Sequence, residues 1–259
     1  MGLMVDWSKE LAVAKEAAGK AAELALRYQP GIVAETKPDR SPVTKADREA
    51  EQLIARMLTD AFPGDGILGE EGASVESSNG RRWIIDPIDG TRDYLRGNPL
   101  WANLIGLELD GVVVAGVANF PVLGNLYVAS RHGGAHRNDS PIHVSSKKSI
   151  DEAVLCMNAF DKLDSVPFRA ELLDWMAKFW SLRGLGGAMD AMMVASGQAE
   201  VWIEPRACPW DFAPLKIIVE EAGGIFMNFD GGSTIYAKNA VACAPGLEPE
   251  VRRLLGLAS

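Results

Sequence analysis

The stretch Trp83-Ile84-Ile85-Asp86-Pro87-Ile88-Asp89-Gly90-Thr91 ends an apolar run with two carboxylates three residues apart. Pro87 restrains Asp86 to extended backbone, and Gly90 lets the chain approach another group closely. A helix starting just after Gly90 presents free N–H groups, which attract an anion. Carboxylates alone would repel a phosphate placed there. Divalent cations remove the conflict: the carboxylates hold the metals, and the metals together with the N–H groups hold the phosphate.

Three more acids stand at the ends of expected elements, where functional groups collect. Asp47 lies near a helix start, Glu70 ends a short strand, and Asp211 opens a helix after Pro209-Trp210. Hard oxygen ligands without clustered His or Cys point to magnesium or manganese rather than zinc. Glu70 and Glu71 are adjacent, so an extended strand turns only one of them toward a shared site. Taken singly, each acid also has a structural reading: Asp47 as a helix cap, Asp211 as a first-turn acid favoured by the helix dipole, Glu204 as a surface acid before Pro205. The set together favours chemistry. An Asp-x-Asp-Gly-Thr nucleophile motif is disfavoured, because its two Asp stand two apart whereas Asp86 and Asp89 stand three apart and mid-chain. His132 and His136 have metal-like spacing, but Gly133-Gly134 between them argues for a surface loop.

The 259 residues carry 26 Lys plus Arg and 35 Asp plus Glu, a net charge of −9. So acidic a chain is poorly suited to grip a nucleic-acid backbone. Its 47% hydrophobic and 24% charged residues are ordinary for a globular protein. Cys156, Cys208 and Cys243 are widely spaced and odd in number, which argues against a disulfide framework or a thiolate zinc site. The N-terminus MGLMVDWSKE lacks a basic region followed by an apolar run, and Asp6 stands where a myristoylation pattern wants Ser or Thr. No run approaches membrane-span length. The expectation is a soluble cytoplasmic protein with reduced thiols and no membrane or nucleic-acid partner.

The elements that must position these acids are legible in outline. Leu11, Ala14, Ala18, Ala22 and Ala25 predict a helix over 6–28, stopped by Pro30-Gly31. A polar loop spans 35–44. Thr44 is the N-cap of a helix to about 60, with Asp47 completing a capping box. Ile67 to Gly69 and Arg81 to Asp86 read as strands. Asn103 to Leu109 and Val112 to Asn119 form a hairpin about Asp110-Gly111. Leu126 to Ser130 and Ile142 to Val144 are further strands. After about 150 the pattern alternates: strands Ala153 to Met157, Ala199 to Ile203 and Ala240 to Cys243, and helices Phe168 to Phe179, 188–196, Pro209 to Ala222 and 248–255. Trp175, Phe179 and Trp180 are expected to pack a helix face. Ser145, Ser146, Lys147 and Lys148 mark a boundary between halves 1–150 and 151–259.

The ordered set Pro42-Val43-Thr44 before Asp47, Gly69-Glu70-Glu71, Asp86 to Thr91, Trp210-Asp211 and Glu220 to Gly224 resembles the inositol monophosphatase family across nearly the whole chain. These are magnesium-dependent, lithium-sensitive phosphomonoesterases akin to fructose-1,6-bisphosphatase. The resemblance implies an α/β (α+β) fold layered α-β-α-β-α, with a largely antiparallel sheet in the N-terminal half, a mixed one in the C-terminal half and the metal site between them. It implies that Glu70, Asp86 and the Ile88 carbonyl hold one Mg2+, that Asp86, Asp89 and Asp211 hold a second, and that Glu70 shares a looser third; Mn2+ is an alternative ion and Li+ an expected inhibitor. Asp47, Glu70 and Thr91 are the catalytic set, with Thr91 and Asp47 positioning the attacking water. The N–H groups of Gly90 and Thr91 take the phosphate, while Arg183, Glu204 and Asp211 meet the rest of the substrate. A homodimer is the implied assembly.

Arg96 to Ala102 and Arg183-Gly184-Leu185-Gly186-Gly187 look more like the histidinol-phosphate phosphatase branch. Leu185 and Gly187 depart from that branch's aromatic and Asp, and Asp93 stands where Asn is common. Asp93, Asp190 and Glu204 would favour a cationic amino alcohol, so histidinol phosphate leads. Inositol-1-phosphate is the alternative; a bisphosphate nucleotidase or fructose bisphosphatase, or a non-catalytic cation-binding regulatory protein, are further ones. A pure binder would not need Thr91 paired with Asp47.

Overall fold

A computed structural model describes residues 5–258; of the N-terminal stretch read above, residues 1–4 lie outside them. The elements are α1 (Ser8–Tyr28), β1 (Ala34–Thr36), β2 (Pro42–Thr44), α2 (Lys45–Ala61), β3 (Gly66–Gly69), β4 (Ser74–Val75), β5 (Arg81–Asp89), α3 (Thr91–Arg96), β6 (Ala102–Leu109), β7 (Val112–Phe120), β8 (Asn125–Ser130), β9 (Gly134–Arg137) and β10 (Ser140–Pro141). They continue with β11 (Val154–Met157), α4 (Arg169–Met176), β12 (Ser181–Arg183), α5 (Gly187–Ala195), β13 (Val201–Glu204), α6 (Pro209–Glu221), β14 (Ile225–Met227), β15 (Ala240–Cys243) and α7 (Glu248–Leu255).

Two sheets stack with helices outside and between them. The larger runs β10-β9-β8-β7-β6-β5-β3-β4, antiparallel apart from the parallel β3–β5 pair. The smaller runs β12-β11-β13-β15-β14, with β11 parallel to β12 and β13 and the remaining pairs antiparallel. Side-chain alternation assigns the layers. Trp83 and Ile85 pack with Ala14, Ala18, Ile54 and Leu58 of α1 and α2. Ile84 and Leu104, on the opposite face, join Met192 and Phe212 of α5 and α6 and, across the gap, Cys156 and Trp202 of the small sheet. Leu155, Val201, Ile203 and Val241 face outward to Leu172 and Trp175 of α4 and Val251 of α7. The order is therefore α-β-α-β-α. The same alternation turns Asp86 and Glu204, two residues beyond Ile84 and Trp202, into the middle layer from opposite sheets.

Four expectations change. Residues 35–44 are not plain loop: β1 and β2 pair as an antiparallel hairpin. Ile142–Val144 is extended but forms no ladder, because its N–H groups at 142 and 144 bond to Ala135 and Ala222 carbonyls in different elements. The β5 strand runs on to Asp89 with a register shift after Asp86. Trp175 and Phe179 pack edge to face at 4.6 Å, whereas Trp180 is 70% exposed with the Lys147 ammonium over its ring. His132 and His136 fall in the β8–β9 hairpin, on no helix.

Candidate active site

The register shift in β5 has a local cause. Pro87 has no N–H to give the ladder, and the buried Asn103 of β6 satisfies its carbonyl instead, Nδ2 to O at 2.6 Å. Past the break Asp89 is pushed out beside Asp86, and Gly90, at φ 82°, turns the chain into α3. Ile88 anchors the turn from below. It is fully buried with Ala25, Ala46, Tyr94 and Trp101, and burying such a side chain contributes about 2 kcal/mol.

Glu70 arrives by another route. Its N–H continues the β3–β5 pairing onto the Ile85 carbonyl at 3.1 Å, which sets Glu70 beside Asp86. Asp211 comes from the first turn of α6, where one carboxylate oxygen caps the helix by accepting the Cys208 N–H at 2.5 Å. Asp86, Asp89 and Asp211 each offer an oxygen, and the three lie within 4.8 Å of one another. These three with Glu70, Ile88, Gly90, Thr91 and Glu204 line one cavity of about 330 Å³, a size suited to a single small ligand.

Crowding and burial both disfavour the charged carboxylates. Burial, and then the charges of Glu70, Asp89 and Asp211, push Asp86 well above its ordinary value. Burial and the Asp211 charge push Asp89 up to about 8. Burial chiefly raises Glu70 and Asp211 as well, and takes Glu204 up to about 8. All-oxygen donors that repel one another this closely fit hard divalent cations, whose charge would cancel the repulsion.

Glu70 has a partner already. The Lys37 ammonium, on the loop between β1 and β2, stands 2.8 Å from Glu70 Oε1 and 2.5 Å from Glu71 Oε1. Glu71 does not line the cavity; its N–H donates to buried Glu51 at 2.7 Å. Asp47 lies behind the wall. One of its oxygens completes the capping box with Thr44, accepting that residue's N–H at 2.8 Å, and the other accepts from Thr91 Oγ1 at 3.2 Å. Thr91 Oγ1 also reaches the Ile88 carbonyl at 3.3 Å.

The structure does not bring Arg183 to the site: it sits at the end of β12, its guanidinium donating to Ser181 Oγ and the Leu182 carbonyl. Sequence reasoning passed over Lys37, Asn158, Trp202, Arg92 and Arg206. The last four line the cavity but belong to no spaced motif. The Ala188 N–H at the start of α5, whose proximity to Asp89 works against the rise caused by burial, had no sequence signal at all.

Two stacked sheets thus enclose a carboxylate-lined cavity between them. The inositol monophosphatase family profile matches residues 6–256. Among curated relatives, a histidinol-phosphatase of Chlorobaculum parvum is 41% identical, covering 90% of this chain and 93% of that one. An inositol-1-monophosphatase of Mesorhizobium japonicum is 38% identical over 77% of this chain and 76% of its own. Among solved structures, the extragenic suppressor protein suhB of Bartonella henselae superposes with a TM-score of 0.86 at 31% identity, covering 96% and 98% of the two chains. The chain belongs to the inositol monophosphatase family, whose members are metal-dependent phosphoric monoester hydrolases. Among the described residues no helix is long and apolar enough to cross a membrane.

Proposed function

We propose that this chain is a Mg2+-dependent phosphomonoesterase acting on histidinol phosphate. The observation that carries the chemistry is the convergence of Asp86, Asp89 and Asp211 oxygens within 4.8 Å on a cavity wall. Glu70, Asp86, the Ile88 carbonyl, Asp89 and Asp211 would hold two or three ions, Mg2+ by preference or Mn2+, with Li+ inhibiting. Bound cations lower the pKa of a water for attack on phosphorus and neutralise charge on the phosphate oxygens. The chain's own groups do the rest. Asp47 holds the Thr91 hydroxyl hydrogen, which leaves the Thr91 lone pairs to orient the water. The Gly90 and Thr91 N–H groups, lacking helical partners, receive a phosphate oxygen. Glu204 faces the leaving group from the opposite sheet.

The relative named histidinol-phosphatase, at 41% identity, favours that substrate; the one named inositol-1-monophosphatase, at 38%, supports inositol-1-phosphate as the second reading. We read the chain as two halves, 1–150 and 151–259, that share the site, and as a cytoplasmic homodimer. Phosphate release with Mg2+ from histidinol phosphate, inositol-1-phosphate, fructose-1,6-bisphosphate and adenosine 3′,5′-bisphosphate tests the assignment. Histidinol phosphate should have the highest kcat/KM, and a lead by any other ester removes the substrate assignment.

A further inference from the structure

Glu51 brings a buried carboxylate close to the site without lining the cavity. It lies one helical turn beyond Asp47 on α2, so the two share a helix face, and it is only 2% exposed. Its oxygens accept from two backbone groups of a single turn: Oε2 from the Glu71 N–H and Oε1 from the Ala73 N–H, both at 2.7 Å. That turn, residues 70–73, joins β3 to β4 and carries Glu70 to the cavity wall.

The Glu70 N–H is held from the other side, by the Ile85 carbonyl of β5. One N–H is thus drawn to the large sheet and the next to α2, which fixes the peptide between Glu70 and Glu71. In this setting Glu70 lines the cavity and Glu71 does not. A carboxylate that accepts backbone N–H groups makes charge-assisted bonds, stronger than neutral ones, and two of them on one buried carboxylate suit a rigid turn.

Gly69 supplies the room. It lies in β3 without the positive φ that would call for glycine. What excludes a side chain is Glu51 itself: a Cβ on Gly69 would stand 2.8 Å from Glu51 Oε1, and nearer still to Cδ and Oε2.

Resting on the dication cage read above, we propose that Glu51 and Gly69 are positioning residues for it. The Glu51 carboxylate clamps the turn that presents Glu70, and the missing side chain at Gly69 admits the carboxylate. Helix α2 then fixes the site at two places, since its Asp47 holds Thr91 at the start of α3.

Mn2+ titration followed by electron paramagnetic resonance, on variants shown folded by circular dichroism, tests the clamp. Glu51→Gln replaces an acceptor oxygen with an NH2 donor and so loses one of the two bonds. Gly69→Ala displaces the carboxyl while keeping its charge. Each should weaken Mn2+ binding by about 10- to 100-fold, as loss of a group behind a metal ligand does. The Mg2+ concentration for half-maximal phosphate release should rise in step, with KM for histidinol phosphate at saturating Mg2+ unchanged. The double variant should bind no more weakly than the weaker single one, because both changes remove the same clamp. Ile54→Val, fully buried on the same helix, is the control: it should lower Tm and leave Mn2+ affinity unchanged. Unchanged Mn2+ affinity in a folded single variant, additive losses in the double variant, or an equal loss in Ile54→Val overturns the clamp. Loss of the fold in both single variants also overturns it, since Glu51 then serves the fold rather than the site. If the wild type takes up no Mn2+, the cage itself falls and the clamp falls with it.

Discussion

Thr91 Oγ1 donates to Asp47 Oδ1 at 3.2 Å, tying the first residue of α3 to the first turn of α2. The two residues are 44 apart in sequence, and nothing in helix capping requires them to meet. A hydroxyl aimed by a buried carboxylate suits water orientation, because the carboxylate fixes where the hydroxyl hydrogen points. Thr91→Ala should lower kcat by about 10²- to 10³-fold while calorimetry shows Mg2+ binding retained. Turnover within a factor of two of wild type would remove Thr91 from the mechanism.

The pH dependence follows from the raised carboxyls. Asp89 and Glu204 rise to about 8 from ordinary values of 3.8 and 4.5. Between roughly pH 4 and 8 the folded metal-free chain keeps protons that the unfolded chain has released. Their stabilising contribution is therefore complete below about pH 4 and is lost as pH rises through about 8. In chelator, Tm should fall across that window; with Mg2+ the fall should shrink, and Mg2+ affinity should increase with pH. Differential scanning fluorimetry in both conditions checks this.

Removing one charge from the cluster should have opposite effects on its two states. Asp211→Asn keeps a side-chain oxygen able to cap α6 but relieves repulsion with Asp86 and Asp89. Without metal the variant should melt at or above the wild-type temperature. Its Mg2+ affinity should drop by about a hundredfold, read by calorimetry. A variant less stable in chelator would indicate that Asp211 is mainly structural.

The helix carrying Asp211 is itself held by a close approach. A Cβ on Gly116 of β7 would stand 2.6 Å from Ile217 Cγ2 and 2.8 Å from Pro214 Cα. Gly116→Ala must push α6 off the large sheet, at a cost of about 1–3 kcal/mol. Thermal melts should show a lower Tm, and calorimetry a weaker Mg2+ affinity, although Gly116 lies outside the cavity lining.

What the sequence disclosed and concealed divides along physical lines. The Thr44–Asp47 capping box, the Asp110-Gly111 hairpin and the helix ending at Gly223-Gly224 are local, and each was legible. The hairpin of β1 and β2 was not legible because β1, Ala34-Glu35-Thr36, is exposed throughout and carries no apolar alternation. Ile142–Val144 carries strand chemistry, but its partners lie in two different elements. Glu70, Asp86, Asp89 and Asp211 were legible as a candidate set because they stand at or beside the ends of recognisable strands and helices. Asn158 and Trp202 were not, since only the folding of one sheet over the other brings them to the cavity, and Lys37 was not, since it reaches Glu70 and Glu71 from the separate β1–β2 hairpin. Arg183 differs: the resemblance of its Arg-Gly segment to the histidinol-phosphate phosphatase branch suggested the substrate, yet on the edge strand β12 its guanidinium bonds back to Ser181 and Leu182.

The central claim is that Asp86, Asp89 and Asp211, brought from two separated segments, act as one dication cage. Mn2+ titration followed by electron paramagnetic resonance measures this without any substrate. The wild type should bind at least two Mn2+ per chain saturably, with Mg2+ competing, and Asp86→Asn should lose most of that binding while keeping its fold by circular dichroism. No saturable Mn2+ uptake by the wild type, or uptake unchanged in the folded variant, would contradict the account.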